Sequence, residues 1–150
     1  MDADEADSFR RKLRVLVADG YPDTAWTLAA VLRLLGAEAV AARTGPEALR
    51  LAEEFRPDLV VMDLELPGLD GCEAARRLRR GGPAAPLLVA VTGHHDEDHR
   101  RQAREAGFDH YLLKPTDIDA LRPLLSTTGG RWSPSGVSFP GLTPTALRVS

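Results

Sequence analysis

Cysteine occurs once in these 150 residues, at Cys72, so no disulfide can close within the chain. That usage fits a reducing compartment, and an inert small thiol is the simplest reading of Cys72. No apolar run approaches the ~20 residues a membrane-spanning helix needs. The opening stretch, MDADEADSFRRK, is acidic and then basic with no apolar core, which argues against a secretory signal. A cytoplasmic location is the expectation. Neither sign of charge is in excess: a formal net charge of -3 gives no global electrostatic case for binding nucleic acid or a membrane surface. There is no internal repeat and no Gly-x-x-x-x-Gly-Lys phosphate loop, so nucleotide hydrolysis is unsupported. Lysine is scarce too. Of 19 basic residues only Lys12 and Lys114 are lysines, which singles out Lys114 deep in the chain.

What is present is an ordinary globular composition, 43% apolar and 27% charged, in a chain long enough for one domain with a proper core. The stretch Leu59 to Gly71, LVVMDLELPGLDG, organises the rest. Its apolar run suits a strand covered on both faces, as in a parallel sheet, and it ends at Asp63 before a turn rich in Pro67, Gly68 and Gly71.

Strand and helix patterns alternate around it. Leu13 to Ala18 reads as a first strand ending in Asp19-Gly20. Pro22-Asp23-Thr24 opens a helix to Leu35, with Leu28, Val31, Leu32 and Leu35 on its buried face. A short strand follows around Glu38 to Ala41. Thr44-Gly45-Pro46-Glu47 is a capping box opening a helix to about Phe55. After the central strand, a helix starts at Asp70 or Gly71 and ends in Arg76 to Arg80. Leu87 to Val91 is a further strand ending at Thr92-Gly93. A polar helix spans about Glu97 to Ala106, a last strand His110 to Leu113 ends at Lys114-Pro115, and a final helix runs to about Leu125.

Five such alternations with short connections predict a doubly wound α/β fold, a parallel sheet with right-handed crossovers. Residues 1 to about 12 read as a disordered, charged lead-in. The segment 126–150, in which 16 of 25 residues are Gly, Pro, Ser or Thr, reads as a flexible tail. Trp132, Phe139 and Leu142 within it suit a docking peptide or plain linker equally.

In a parallel sheet all carboxyl ends lie on one edge, so Asp19, Asp63, Thr92 and Lys114 converge there. Two carboxylates suit Mg²⁺, which keeps several waters. A carboxylate can attack phosphorus to give an acyl phosphate, and a hydroxyl with an ammonium can hold phosphoryl oxygens. On this set alone, a phosphoryl-accepting aspartate and plain strand-end polarity both fit.

The segments VLVADGYPD, PDLVVMDLELPGLDG, VAVTG and HYLLKP, in this order and spacing, resemble the receiver domain of bacterial two-component response regulators. The likeness covers about Leu13 to Leu125 and is especially close to receivers of hybrid sensor kinases. It implies a flavodoxin-like (βα)5 fold with strand order 2-1-3-4-5. It implies that Asp63 takes a phosphoryl group from a phosphohistidine of a histidine kinase or phosphotransfer protein. Asp19, Asp63 and the backbone carbonyl of Glu65 would hold Mg²⁺, and Thr92 and Lys114 would bind the phosphoryl oxygens. Thr92 and Tyr111 would form the switch that reshapes the face of helix 4, strand 5 and helix 5 for a downstream protein target, with a homodimer on activation as one outcome.

One position departs from the family pattern: the second acid after strand 1 is replaced by Gly20. Metal binding should weaken without vanishing, and Glu65 turning its carboxylate inward, or the more distant Asp23, are possible substitutes. Two readings follow, a stand-alone receiver that still accepts phosphate and a pseudo-receiver that binds partners without phosphotransfer. An Asp-nucleophile phosphatase fits less well, because Asp63-Leu64-Glu65-Leu66-Pro67 lacks the second Asp and the Thr of the haloacid-dehalogenase pattern. A DNA-binding output would need more than the 126–150 segment to build a helix-turn-helix unit.

Two further features stand apart from the four strand ends. His94, His95 and His99 with Asp96 and Asp98 look like a metal cluster, with His95 and His99 able to share a helical face. The segment is wholly polar and reads as a solvated helix start. Trp26 sits off the apolar face of the first helix, so it is expected to be exposed, as an interface anchor or lying flat on its own helix.

Overall fold

A parallel strand covered on both faces must be apolar along its length, and β3 (Leu59–Asp63) is buried at every position. In the computed structural model, which describes residues 12–81, 85–94, 96–116 and 118–128, β3 is the middle strand of a five-stranded sheet. The others are β1 (Arg14–Ala18), β2 (Glu38–Ala42), β4 (Leu87–Thr92) and β5 (His110–Leu113). All neighbours pair in parallel in the order β2-β1-β3-β4-β5, the flavodoxin-like arrangement. Helices α1 (Pro22–Leu34), α2 (Gly45–Phe55), α3 (Gly71–Arg79), α4 (Glu97–Ala106) and α5 (Ile118–Thr128) follow the strands in turn.

The period-two alternation of strand side chains divides the core. Val15, Val17, Leu59, Val61, Val89 and Leu112 pack with Leu28 and Leu32 of α1 and Leu121 and Leu124 of α5. Leu16, Val60, Met62, Leu88, Ala90 and Tyr111 face the opposite way, with Ala48 of α2, Ala74 and Ala75 of α3 and Ala103 of α4. Each fully buried Leu or Val contributes roughly 1.5–3 kcal/mol. Two layers of them hold the sheet edge rigid.

Local sequence sets the helix starts. Thr44 Oγ1 accepts from Glu47 N at 3.1 Å, and Glu47 Oε1 accepts in return from Arg43 N at 2.8 Å, one residue earlier than in the usual reciprocal pattern. Asp70 Oδ1 accepts from Glu73 N at 2.9 Å, which fixes the start of α3 just past the acceptor loop.

Two expectations need correction. Leu35 is not on the buried face of α1: it is the C-cap, 38% exposed, and Leu34 is 86% exposed. The chain leaves the helix there through Gly36, at φ 101°, so the buried face is Ala25, Leu28, Ala29 and Leu32. The last helix runs to Thr128 rather than Leu125, through Pro123. The backbone bond that Pro123 forfeits lies at the second residue of α5, so the later turns stay intact. The lead-in expected before residue 12, the tail segment 129–150 with Trp132, Phe139 and Leu142, and His95 all lie outside the described residues.

Candidate functional site

The ladder continues one residue beyond the strands. Asp19 N donates to Ala42 O at 3.0 Å, Leu64 N to Val91 O at 3.1 Å and Lys114 N to Thr92 O at 2.8 Å. These bonds bring the strand-end side chains of β1, β3, β4 and β5 to one edge. Asp19 and Asp63 are 5% and 4% exposed and Thr92 is 1% exposed. Lys114 reaches back across the edge, its Nζ 2.6 Å from Asp63 Oδ2 and 3.3 Å from Asp19 Oδ2. The remaining oxygen of each carboxylate accepts a backbone N–H two residues on: Tyr21 N to Asp19 Oδ1 and Glu65 N to Asp63 Oδ1, both at 2.9 Å. These turns fix the direction of each carboxylate. The edge therefore carries two buried negative charges and one shared cation.

Burial alone works against the Lys114 ammonium. The hydrogen bond and charge of Asp63, followed by the charge of Asp19, outweigh it, and the lysine is held above its ordinary value. The Tyr21 ring lies 5.3 Å from Nζ, a cation–π contact at the rim.

Thr92 and Tyr111 project to the same side of the sheet, because Tyr111 pairs with Ala90 and Thr92 lies two residues beyond Ala90. Between them lies the β4–α4 loop. Thr92 Oγ1 accepts from His94 N at 3.1 Å, and Tyr111 Oη donates to His94 O. The Tyr111 ring is buried, with the Arg100 guanidinium 5.0 Å from its centroid. Burial raises its phenol pKa, and Arg100 opposes that rise only in part. The imidazole of His94 is held as well, by Glu65 Oε1 at 2.5 Å from Nε2.

His94 is thus the junction sequence reasoning missed. What Thr92 and Tyr111 grip is its backbone, and every residue type but proline offers an N–H and a C=O.

The donor set fits a hard divalent cation with one ligand fewer than a full acidic pocket. An ideal Cβ on Gly20 would stand 3.0 Å from Pro67 Cδ and 3.8 Å from Glu65 O. Position 20 therefore faces the carbonyl expected to be a ligand, and an acid there would reach it. Asp19, Asp63 and that carbonyl remain. The Glu65 carboxylate is engaged by His94, and Asp23 lines an exposed groove of about 720 Å³ beside Tyr21, Lys114 and Pro115.

A doubly wound α/β domain that gathers two carboxylates, a hydroxyl and an ammonium from four strand ends on one edge has the side chains that phosphoryl acceptance requires. Residues 15–126 match the family described as the response regulator receiver domain, and the chain belongs to that family. It is 38% identical over 126 residues to the virulence sensor protein BvgS of Bordetella bronchiseptica, covering 79% of this chain and 10% of that protein. Protein PilH of Pseudomonas aeruginosa is 33% identical over 110 residues, covering 72% of this chain and 90% of PilH. The chain therefore spans about a tenth of the sensor relative and nearly all of PilH.

Among solved structures, the yeast receiver domain of Ssk1, in complex with the histidine phosphotransfer protein Ypd1, superposes with a TM-score of 0.71 at 29% identity. That match covers 79% of this chain and 89% of the other. A Burkholderia pseudomallei response regulator with a phosphorylated aspartic acid, a calcium ion and citrate gives 0.70 at 28%, covering 79% and 69%. The chain is a receiver domain of phosphorelay signalling, a phosphoacceptor module rather than an enzyme with turnover. No helix among the described residues is long and apolar enough to cross a membrane.

Proposed function

We propose that this chain is a stand-alone receiver in which Asp63 accepts a phosphoryl group from a phosphohistidine of a histidine kinase or phosphotransfer protein. The observation that carries this is the Lys114 ammonium, bonded to Asp63 Oδ2 and close to Asp19 beside the buried Thr92 hydroxyl. An Asp63 oxygen attacks phosphorus, the P–N bond breaks, the imidazole leaves with the electron pair, and an acyl phosphate forms. Lys114 follows the negative charge from the carboxylate onto a phosphoryl oxygen. Mg²⁺ held by Asp19, Asp63 and the Glu65 carbonyl would supply further neutralisation of the transferring group, more weakly than with an acid at position 20.

The product carries roughly one more negative charge than the carboxylate, and three strong acceptors. Thr92 Oγ1 accepts from His94 N in the resting state, which leaves its own proton for a phosphoryl oxygen. If Thr92 moves to Asp63, the β4–α4 loop loses one of its two backbone anchors at His94. Tyr111 can then give up the His94 carbonyl and occupy the space. Shifting a population from about 1:99 to 99:1 takes about 5.5 kcal/mol, which a few charge-assisted hydrogen bonds of roughly 1.5–3 kcal/mol supply. The face of α4, β5 and α5 is then the surface that changes for a protein target, a second copy of the chain included.

The named partnership of Ssk1 with a phosphotransfer protein supports the choice of donor class. PilH, matched over 90% of its own length, is a relative with little beyond the matched domain, whereas BvgS is matched over 10% of its length. Gly20 favours one rival, a receiver fold that binds partners without phosphotransfer. Intact-mass measurement after incubation with acetyl phosphate and Mg²⁺ separates the two. The expected result is a single phosphoryl adduct, absent in Asp63→Asn; no adduct at millimolar Mg²⁺ leaves the rival standing.

A further inference from the structure

Outside the strand-end edge, the described residues hold one set of side chains with transition-metal chemistry. His94 in the β4–α4 loop, Asp96 at the N-cap of α4 and His99 in its first turn each bring one donor atom within 4.8 Å of the other two. The two imidazoles stack with centroids 4.1 Å apart and planes 5° from parallel. Each is already paired with a carboxylate: His99 Nδ1 lies 2.5 Å from Asp96 Oδ1, and His94 Nε2 2.5 Å from Glu65 Oε1. A carboxylate on the ring nitrogen is the device that fixes imidazole tautomer and raises its basicity at metal centres. Capping α4 needs only Asp96. It does not require two histidines from different segments to stack, nor Glu65 to reach over from the β3–α3 loop.

We propose that His94, Asp96 and His99 form a binding site for a divalent transition metal of the zinc class, distinct from the Mg²⁺ ligands around Asp63. Imidazole nitrogens suit Zn²⁺, Ni²⁺ and Cu²⁺, whereas Mg²⁺ takes oxygen donors, so two imidazoles with one carboxylate select the first group. Zinc bonds of ~2.0–2.2 Å to nitrogen and oxygen place tetrahedral donors roughly 3.4 Å apart. Donors that lie as far as 4.8 Å apart must therefore close by about 1.4 Å to reach that spacing, and the rings must splay, since stacked rings cannot both point at one ion. Their side chains are 45%, 52% and 39% exposed, which leaves them free to turn. Water completes the coordination. The ion joins the loop after Thr92 to the first turn of α4.

The test is titration of the full chain with ZnCl2 in saturating Mg²⁺, followed by calorimetry and by the histidine ring resonances. One equivalent should bind, with the His94 and His99 signals shifting together and amide exchange slowing from residue 94 to 99. His94→Ala and His99→Ala should each weaken binding by at least about 10–100-fold, while His95→Ala and Asp63→Asn leave it unchanged. Far-ultraviolet circular dichroism of each variant checks that its fold is kept. No binding, binding that survives both histidine variants, or binding lost in Asp63→Asn would each overturn the assignment.

Discussion

Lys114 is the residue on which the electrostatics of the sheet edge turn. It is 2.6 Å from one buried carboxylate and 3.3 Å from another, and its pKa is held above the ordinary lysine value. A base whose folded-state pKa is raised contributes stability that is fully present below the unfolded value and is lost as pH rises through the folded one. Urea unfolding at a series of alkaline pH values should therefore show stability falling above the ordinary lysine range, and Lys114→Met should flatten part of that slope. Gly20 sets a second prediction. Gly20→Asp places a carboxylate toward the Glu65 carbonyl, with Pro67 yielding a few tenths of an ångström. Mg²⁺ affinity should rise about tenfold, or about 1.4 kcal/mol, read by metal titration of the purified protein. An unchanged affinity would mean that the lost ligand had been replaced by water without penalty. At this scale Asp19, Asp63, Thr92 and Lys114 are legible in the sequence because strand direction alone sends their positions to one edge. The sharing of Lys114 between two carboxylates is not legible, since it depends on how far a flexible side chain reaches across three strands.

Among the elements, the junction of β3 with α3 leaves no room for a side chain. A Cβ on Gly71 would stand 2.7 Å from both Asp63 O and Leu64 Cα, backbone atoms that cannot swing aside. Gly71 N also donates to Leu64 O at 2.9 Å. Gly71→Ala should destabilise the fold by about 1–3 kcal/mol, the usual scale of overpacking, and should lower the yield of the Asp63 adduct by displacing the acceptor strand end. A urea midpoint equal to that of the parent would refute it. The sequence marks Gly71 only as a turn residue or helix start, because close approach between segments leaves no trace in spacing. Helix α1 shows the complementary limit. Its three/four pattern identifies Leu28 and Leu32 correctly, but cannot tell that the last turn leaves the core and exposes Leu34. Trp26, 69% exposed, flanks a pocket lined by Ala29, Arg33, Val40 and Ala41, so it stands off the core as its position on the helical wheel predicts.

For the molecule as a whole, among the described residues, the two hydrophobic layers are built from residues between Leu13 and Leu125. A chain cut to residues 12–128 should therefore unfold with the same urea midpoint as the full 150 residues, and should take up phosphate on Asp63 to the same extent. A loss of more than about 1 kcal/mol on truncation, well beyond the usual scatter of surface changes, would show that the terminal segments belong to the folded unit. The alternation of five strands with five helices opened the doubly wound class to sequence reading, whereas the order of the strands followed only from the resemblance to receiver domains.

The two outermost strands of an open sheet offer free backbone to any passing extended chain. On β2 the Glu38 amide turns inward to Leu13 O at 2.8 Å, which leaves the next carbonyl, that of Ala39, looking outward. There the Arg33 guanidinium covers it, Nε at 2.9 Å and Nη2 at 2.6 Å. A strand adding to that margin would have to displace this guanidinium, a side chain of the helix that precedes the edge, before it could pair with Ala39.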